Sequence, residues 1–204
     1  MANEDSYKTI RDCAEGLFKD KGSRFIAYSY PVGSEDEIKE HVAVLKKKYY
    51  DATHHCYAWR LGPRGEQSRA NDDGEPSGSA GKPILNQLLS HDVTDILVVV
   101  IRYFGGTLLG VPGLINAYRE ATIDVLENSD IITMTEEAYF EVLFPYLAMN
   151  DVMKIVKSDQ PRVVEQLFDN LCRMVLAVPR SEENVLIGKL GKVDGAQVEF
   201  MYYK

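Results

Sequence analysis

Hydrophobic positions along this chain repeat with two different periods. Ile38, Val42, Leu45 and Tyr49 are spaced for one face of a helix. Ser34, followed three residues later by Glu37, supplies the capping box that starts one. Residues 54–61 alternate instead, with His55, Tyr57, Trp59 and Leu61 on one face of a strand and His54, Cys56, Ala58 and Arg60 on the other. Upstream, Tyr7, Ile10, Ala14, Leu17 and Phe18 read as strand, Lys21-Gly22-Ser23 as a turn, and residues 24–30 as the next strand. The most apolar stretch, Ile96 to Tyr103, predicts a strand covered on both faces. A helix carrying Ile84, Leu85, Leu88 and Leu89 precedes it, with Pro83 suited to its first turn. Another follows it, with Leu114, Tyr118, Ala121 and Val125 on one stripe.

Between these elements lie two glycine-rich segments. Residues 62–82 predict a long loop of Gly, Ser, Pro, Asn and Asp, a length often tied to function. Residues 105–113 predict a turn built on Gly105, Gly106, Gly110 and Gly113. From residue 137 the pattern restarts. Strand 138–145, helix 150–158, strand 162–168, a turn at Asp169-Asn170, strand 171–178, helix 182–193 and strand 196–203 give β-α-β-β-α-β, the ferredoxin-like order. The fold expected is therefore α+β in two domains, 1–136 and 137–204.

Charge narrows the function. The net charge is −8, and neither part is basic: residues 1–136 hold 15 Lys+Arg against 21 Asp+Glu, and residues 137–204 hold 8 against 10. A protein that grips nucleic acid by neutralising phosphates needs the opposite sign, so DNA is not an expected partner and any RNA contact is local. The opening Met-Ala-Asn-Glu-Asp is acidic and polar, unlike a signal peptide, and the longest aliphatic run is too short for a membrane span. A cytoplasmic location without a membrane partner follows as the expectation. Cys13, Cys56 and Cys172 form no CxxC pair, which predicts free thiols.

Candidate chemistry is sparse. His54 and Cys56 share a strand face but make only two ligands, short of a zinc site, so no metal is expected. The segment from Asn71 to Lys82 contains Asp73, Glu75, Ser77 and Gly78, and its small residues suit amides turned toward an anion at the next helix start. It lacks the spacing of a P-loop, because Lys82 is followed by Pro83, and that of an EF-hand. Arg102-Tyr103 leading into Gly105-Gly106 is a strand end that also suits a phosphate, although the dinucleotide spacing GxGxxG is absent. No cofactor is indicated, and no nucleophile–base pair assembles at sensible spacing.

Four blocks in order make the chain recognisable: residues 21–28, 52–59, 72–84 and 102–110. They resemble the successive blocks of the YigZ/IMPACT family, and residues 137–204 resemble the smaller domain of its bacterial members. The resemblance implies a first domain sharing the fold of domain IV of elongation factor G and a ferredoxin-like second domain similar to that factor's last. Eukaryotic members regulate translation by binding a large activator of a stress kinase. For bacterial members the resemblance implies association with a ribosome, RNA or a translation-associated protein. The glycine turn departs from the family pattern, with Leu108 and Asn116 where basic residues are common and Pro112 where glycine is, so it is less basic. The residues expected at a binding site are His54, Arg60, Asp73, Glu75, Ser77, Gly78, Lys82, Arg102, Tyr103, Gly105, Gly106 and Gly110, with none expected to be catalytic. The rival expectation is a small-molecule enzyme or sensor that binds an anionic ligand at the same glycine-rich loops.

Overall fold

The computed structural model describes residues 5–204. In chain order the elements are β1 (Ser6–Ile10), β2 (Ala14–Asp20), β3 (Ser23–Pro31), α1 (Glu35–Lys48), β4 (His54–Leu61), β5 (Gln67–Asn71), α2 (Gly81–Ser90), β6 (Ile96–Tyr103), α3 (Gly110–Glu127) and β7 (Ile131–Thr135). They continue with β8 (Glu137–Pro145), α4 (Met149–Asp159), β9 (Arg162–Leu167), β10 (Leu171–Pro179), α5 (Glu183–Leu190) and β11 (Gln197–Tyr203). The chain is α+β, and its strands form three separate sheets. Two compact units divide it: Tyr7–Met134, and Thr135–Lys204 together with Asp5 and Ser6. No helix among the described residues is long and apolar enough to cross a membrane.

In the first unit five antiparallel strands run in the order β2-β3-β6-β4-β5. α2 and α3 cover one face, where Phe25, Ala27, Cys56, Ala58, Val98 and Val100 meet Ile84, Leu88, Leu114 and Tyr118. α1 covers the other through Ile38 and Leu45, over Tyr28, Trp59, Leu97, Val99 and Ile101. Central β6 is buried on both sides, which accounts for its unbroken aliphatic run. Ser34 caps α1 by accepting a hydrogen bond from the Glu37 amide, and Glu37 reaches back to the Gly33 amide. Lys46, Lys47 and Lys48 close the helix, where cations suit its dipole.

Three segments differ from the sequence expectation. Gln67–Asn71, read as loop, is an edge strand paired with β4. It is polar because an edge strand exposed to water needs no apolar alternation, so no period marked it. Ile131–Thr135 is a second unforeseen strand and pairs with β1. The turn at 105–113 is shorter than expected: α3 already begins at Gly110, with Pro112 inside its first turn.

The second unit runs β8-α4-β9-β10-α5-β11, and its antiparallel sheet has the order β11-β8-β10-β9. Its core packs Phe140, Val142, Phe144, Met174 and Leu176 against Val152, Val156, Leu186 and Leu190 of the two helices.

Candidate functional site

The segment between β5 and α2 is held together by its own acidic residues. Asp72 turns its carboxylate into the chain: Oδ2 accepts from the Gly78 amide at 2.8 Å, and Oδ1 from the Ala80 and Gly81 amides at 3.1 and 2.8 Å. The amides that open α2 are thus already satisfied by an anion of the protein itself. Gly81 is required here, since a Cβ would lie 2.6 Å from the Asn71 backbone nitrogen. Asp73 sits in the left-handed region at φ 42° and ties the loop to β4. Its Oδ2 accepts from the His55 amide at 2.7 Å, its carbonyl lies 2.8 Å from His54 Nδ1, and its Oδ1 receives Lys46 Nζ at 2.9 Å.

Beyond Asp73 the loop places Glu75 in the interior. Glu75 Oε1 accepts from Arg102 Nη1 at 2.6 Å and from the Tyr118 hydroxyl at 2.8 Å, and His54 Nε2 lies 3.9 Å from Oε2. The carboxylate is 3% exposed and the guanidinium 7%. Aromatic rings flank that guanidinium, with the centroids of Phe25 and Phe104 at 5.6 and 5.8 Å. Below lies Cys56, whose thiol donates to the Asp72 carbonyl at 3.0 Å and lies 3.3 Å from the Tyr118 hydroxyl. Burial pushes both the Cys56 thiol and the Tyr118 hydroxyl far above their ordinary ionisation range. Burial also lowers His55, opposed in part by the charge of Asp73.

Glu75 of the first glycine-rich segment thus reaches Arg102, three residues before the turn that begins at Gly105. A further contact fixes the turn: a Cβ on Gly105 would lie 1.9 Å from the Gly22 carbonyl carbon, so the β2–β3 hairpin can abut only a glycine. The Gly105 amide donates to Ser23 Oγ at 3.1 Å. Gly106 and Gly110 lie at positive φ in the turn that follows.

Of the residues expected at a site, Glu75 and Arg102 pair in the interior, His54 lies beside Glu75, and the half-buried Asp73 is bonded to His54, His55 and Lys46. Gly78 and the exposed Lys82 face a neighbouring cleft between α2 and α3, and Ser77 is exposed on the loop. Two others sit elsewhere. Arg60 lies at the far end of β4, about 20 Å along the strand from His54, buried with Nη1 donating to the Val93 carbonyl. Tyr103 points to the opposite sheet face from Arg102, donating its hydroxyl to Asp51 at 2.8 Å beneath the Arg24 guanidinium. Sequence reasoning missed Asp72 and Tyr118 as members of the cluster. Tyr118 carried a signal, because a tyrosine on a core stripe needs a partner for its hydroxyl.

Comparison with known proteins shows the family. Residues 21–126 match the family model described as the Impact N-terminal domain. The IMPACT family member YvyE of Bacillus subtilis is 39% identical over 127 residues, covering 62% of this chain and 58% of that protein. The IMPACT family member YigZ of Escherichia coli is 27% identical over 183 residues, covering 89% and 90%. A crystal structure titled as that of a hypothetical protein superposes with a TM-score of 0.70 at 26% identity, covering 98% of this chain and 99% of that one. With more than half of its residues inside the family model, including every member of the Glu75 cluster, the chain belongs to the YigZ/IMPACT family.

Proposed function

We propose that this protein acts by surface contact with the translation apparatus in the cytoplasm. One observation carries the reading: the pair of Glu75 and Arg102 is buried away from solvent, although Arg102 Nε is left without a hydrogen-bond partner. A nucleophile must be reachable and ionised near neutral pH. The Cys56 thiol and the Tyr118 hydroxyl are buried and held protonated, and the Glu75 carboxylate is occupied by Arg102 and Tyr118. Such a pair anchors the loop 71–82 to the end of β6, and the outer face of that loop meets the partner.

Family resemblance supplies the direction. We read residues 1–136 as a domain sharing the fold of domain IV of elongation factor G, and residues 137–204 as a ferredoxin-like domain. The strand order β11-β8-β10-β9 around two helices supports the second reading. An acidic protein cannot depend on broad counterion release, whose salt slope is about −0.7 to −0.9 per phosphate neutralised. Contact through protein or shape therefore supplies most of the affinity, and its salt dependence is shallow.

Ribosome co-sedimentation across a salt series tests this, with and without nuclease. Co-sedimentation that persists with rising salt and weakens in Phe104→Ala supports the proposal. Steep loss with salt contradicts the mode of contact. No co-sedimentation even at low salt, with thermal stabilisation by a small anionic metabolite, replaces it with the sensor reading.

A further inference from the structure

We propose that the groove between α2 and α3 is a docking site for an acidic amphipathic helix of a protein partner. The proposal rests on the binding-protein reading and names what one part of that surface takes. A cleft of about 420 Å³ runs there, lined by Gly78, Lys82, Asn86, Gln87, Ile115 and Arg119. The outward residues of α3 recur every fourth position: Val111, Ile115 and Arg119. On α2 the outward set is Lys82, Asn86 and Leu89. Ile115, 40% exposed, lines the cleft with Pro83, and Val111 and Leu89, 47% and 51% exposed, lie on the same two helices outside it. These aliphatic side chains do not serve the protein's own core, because α2 and α3 already bury a separate stripe of Ile84, Leu88, Leu114, Tyr118 and Ala121. Surface helices ordinarily keep their outer face polar, and clustered apolar exposure marks an interaction site.

Charge selects the occupant. The chain holds 31 acidic residues, yet none lines this cleft, and both charged residues that do are cations. Lys82 has no carboxylate partner among the described residues. Arg119 is held along α3 by Asn116 Oδ1 and Glu120 Oε1, each at 2.7 Å. The loop acid Asp72 spends its carboxylate on the amides of Gly78, Ala80 and Gly81. The carboxamides of Asn86 and Gln87 add donors and acceptors along the floor. At one end the cleft is open, since a Cβ on Gly78 would meet nothing within 4 Å, so a long ligand can continue past it.

A cleft that sets an exposed aliphatic side chain beside Lys82 and Arg119 matches a third helix with apolar positions on one face and carboxylates beside them. Nucleic acid fits worse. Val111, Ile115 and Leu89 offer no ring for a base to stack on, and two cations release few counterions.

The probe is a labelled synthetic helix of Leu, Ala and Glu, about four turns long. Its controls are a scrambled peptide of the same composition and a version with Lys in place of Glu. Fluorescence anisotropy and amide chemical-shift mapping are read on the full chain. The acidic helix should saturate, with shifts confined to α2, the preceding loop and the first half of α3. Ile115→Glu and Lys82→Glu should each weaken it about tenfold, and Lys82→Glu should improve the Lys peptide. Both substitutions are at exposed positions, and circular dichroism checks that the variants fold. Equal binding of the scrambled peptide, shifts elsewhere, indifference to both substitutions or no saturation at millimolar peptide overturns the proposal. The ribosome reading fails separately: wild-type co-sedimentation surviving a failed peptide experiment removes the groove alone, whereas absent co-sedimentation removes that reading whatever the peptide does.

Discussion

Glu75 Oε1 and Arg102 Nη1 lie 2.6 Å apart, although 27 residues separate them in sequence. The glutamate comes from a loop and the arginine from the end of β6, and Tyr118 of α3 shares the same oxygen. One carboxylate thus joins a loop, a strand and a helix. This arrangement anchors the loop 71–82 to the end of β6 and to α3.

Glu75→Ala should lower the unfolding free energy by about 3–5 kcal/mol, because it leaves the Arg102 guanidinium buried without its counter-charge. Glu75→Gln should cost less, since an amide oxygen still accepts from Tyr118. Replacing both Glu75 and Arg102 by Met should cost less than Glu75→Ala alone, because no unpaired charge remains. Urea denaturation measures all three. A cost for Glu75→Ala within the range of ordinary surface substitutions would mean that water reaches the pair.

Periodicity made much of the fold legible. The alternation at 54–61 placed Cys56 and Ala58 on one core and Tyr57, Trp59 and Leu61 on the other, and the structure packs them so. Of the two strands that were missed, β5 is polar and exposed with no apolar period to read, whereas β7 carries a short one, Ile132 and Met134 alternating with Thr133 and Thr135. At the site, residue type pointed correctly to Glu75 and Arg102 but could not say that they face inward toward each other. Arg60 and Tyr103 were grouped with them by nearness in sequence. Six residues along a strand carried Arg60 away, and one step along β6 turned Tyr103 to the other face. Asp72 was not among the expected site residues, and the folded loop shows three amides converging on it.

The thiols give a test of the cluster's burial. Cys13 is exposed, while Cys56 and Cys172 are buried. A thiol-modifying reagent at neutral pH should label Cys13 alone in the folded protein and all three in denaturant. Rapid native labelling of Cys56 would show an open cluster and would reinstate a nucleophile.

His55 makes stability depend on pH in a definite direction. It is buried, with Nε2 donating to the Tyr49 carbonyl at 3.1 Å, and its proton affinity is lowered in the folded state. Below the ordinary histidine value of about 6.5 the unfolded chain therefore takes up a proton that the folded chain refuses. The stability this group permits is complete above that value and declines as pH falls toward the lower folded value. His55→Gln can keep the donor to Tyr49 and should remove this share of the slope between about pH 8 and pH 5. Urea midpoints across that range decide it, and an unchanged slope in the variant would assign the effect to other groups.

Asp5 belongs with residues that lie far along the chain. Its carboxylate accepts from the Ser181 amide at 3.0 Å and the Ser181 hydroxyl at 2.6 Å, and its carbonyl accepts from the Glu136 amide at 2.9 Å. Glu136 in turn receives Arg180 Nη1 at 2.7 Å. Asp5 is 4% exposed, so these bonds are not traded freely for water. No pattern in the first residues could announce a partner 176 positions away. The second unit has its own sheet and its own core, and a fragment of residues 135–204 should fold alone. It should nevertheless be less stable than the same unit in the full chain, because the Ser181 amide loses its acceptor. Asp5→Ala in the full chain should reproduce that deficit, about 1–3 kcal/mol for a buried donor left without a charged acceptor. Hydrogen exchange at the β8 and β10 amides reports on the second unit separately. Equal protection in wild type and Asp5→Ala would show that these contacts add nothing, and a fragment without cooperative unfolding would refute its independence.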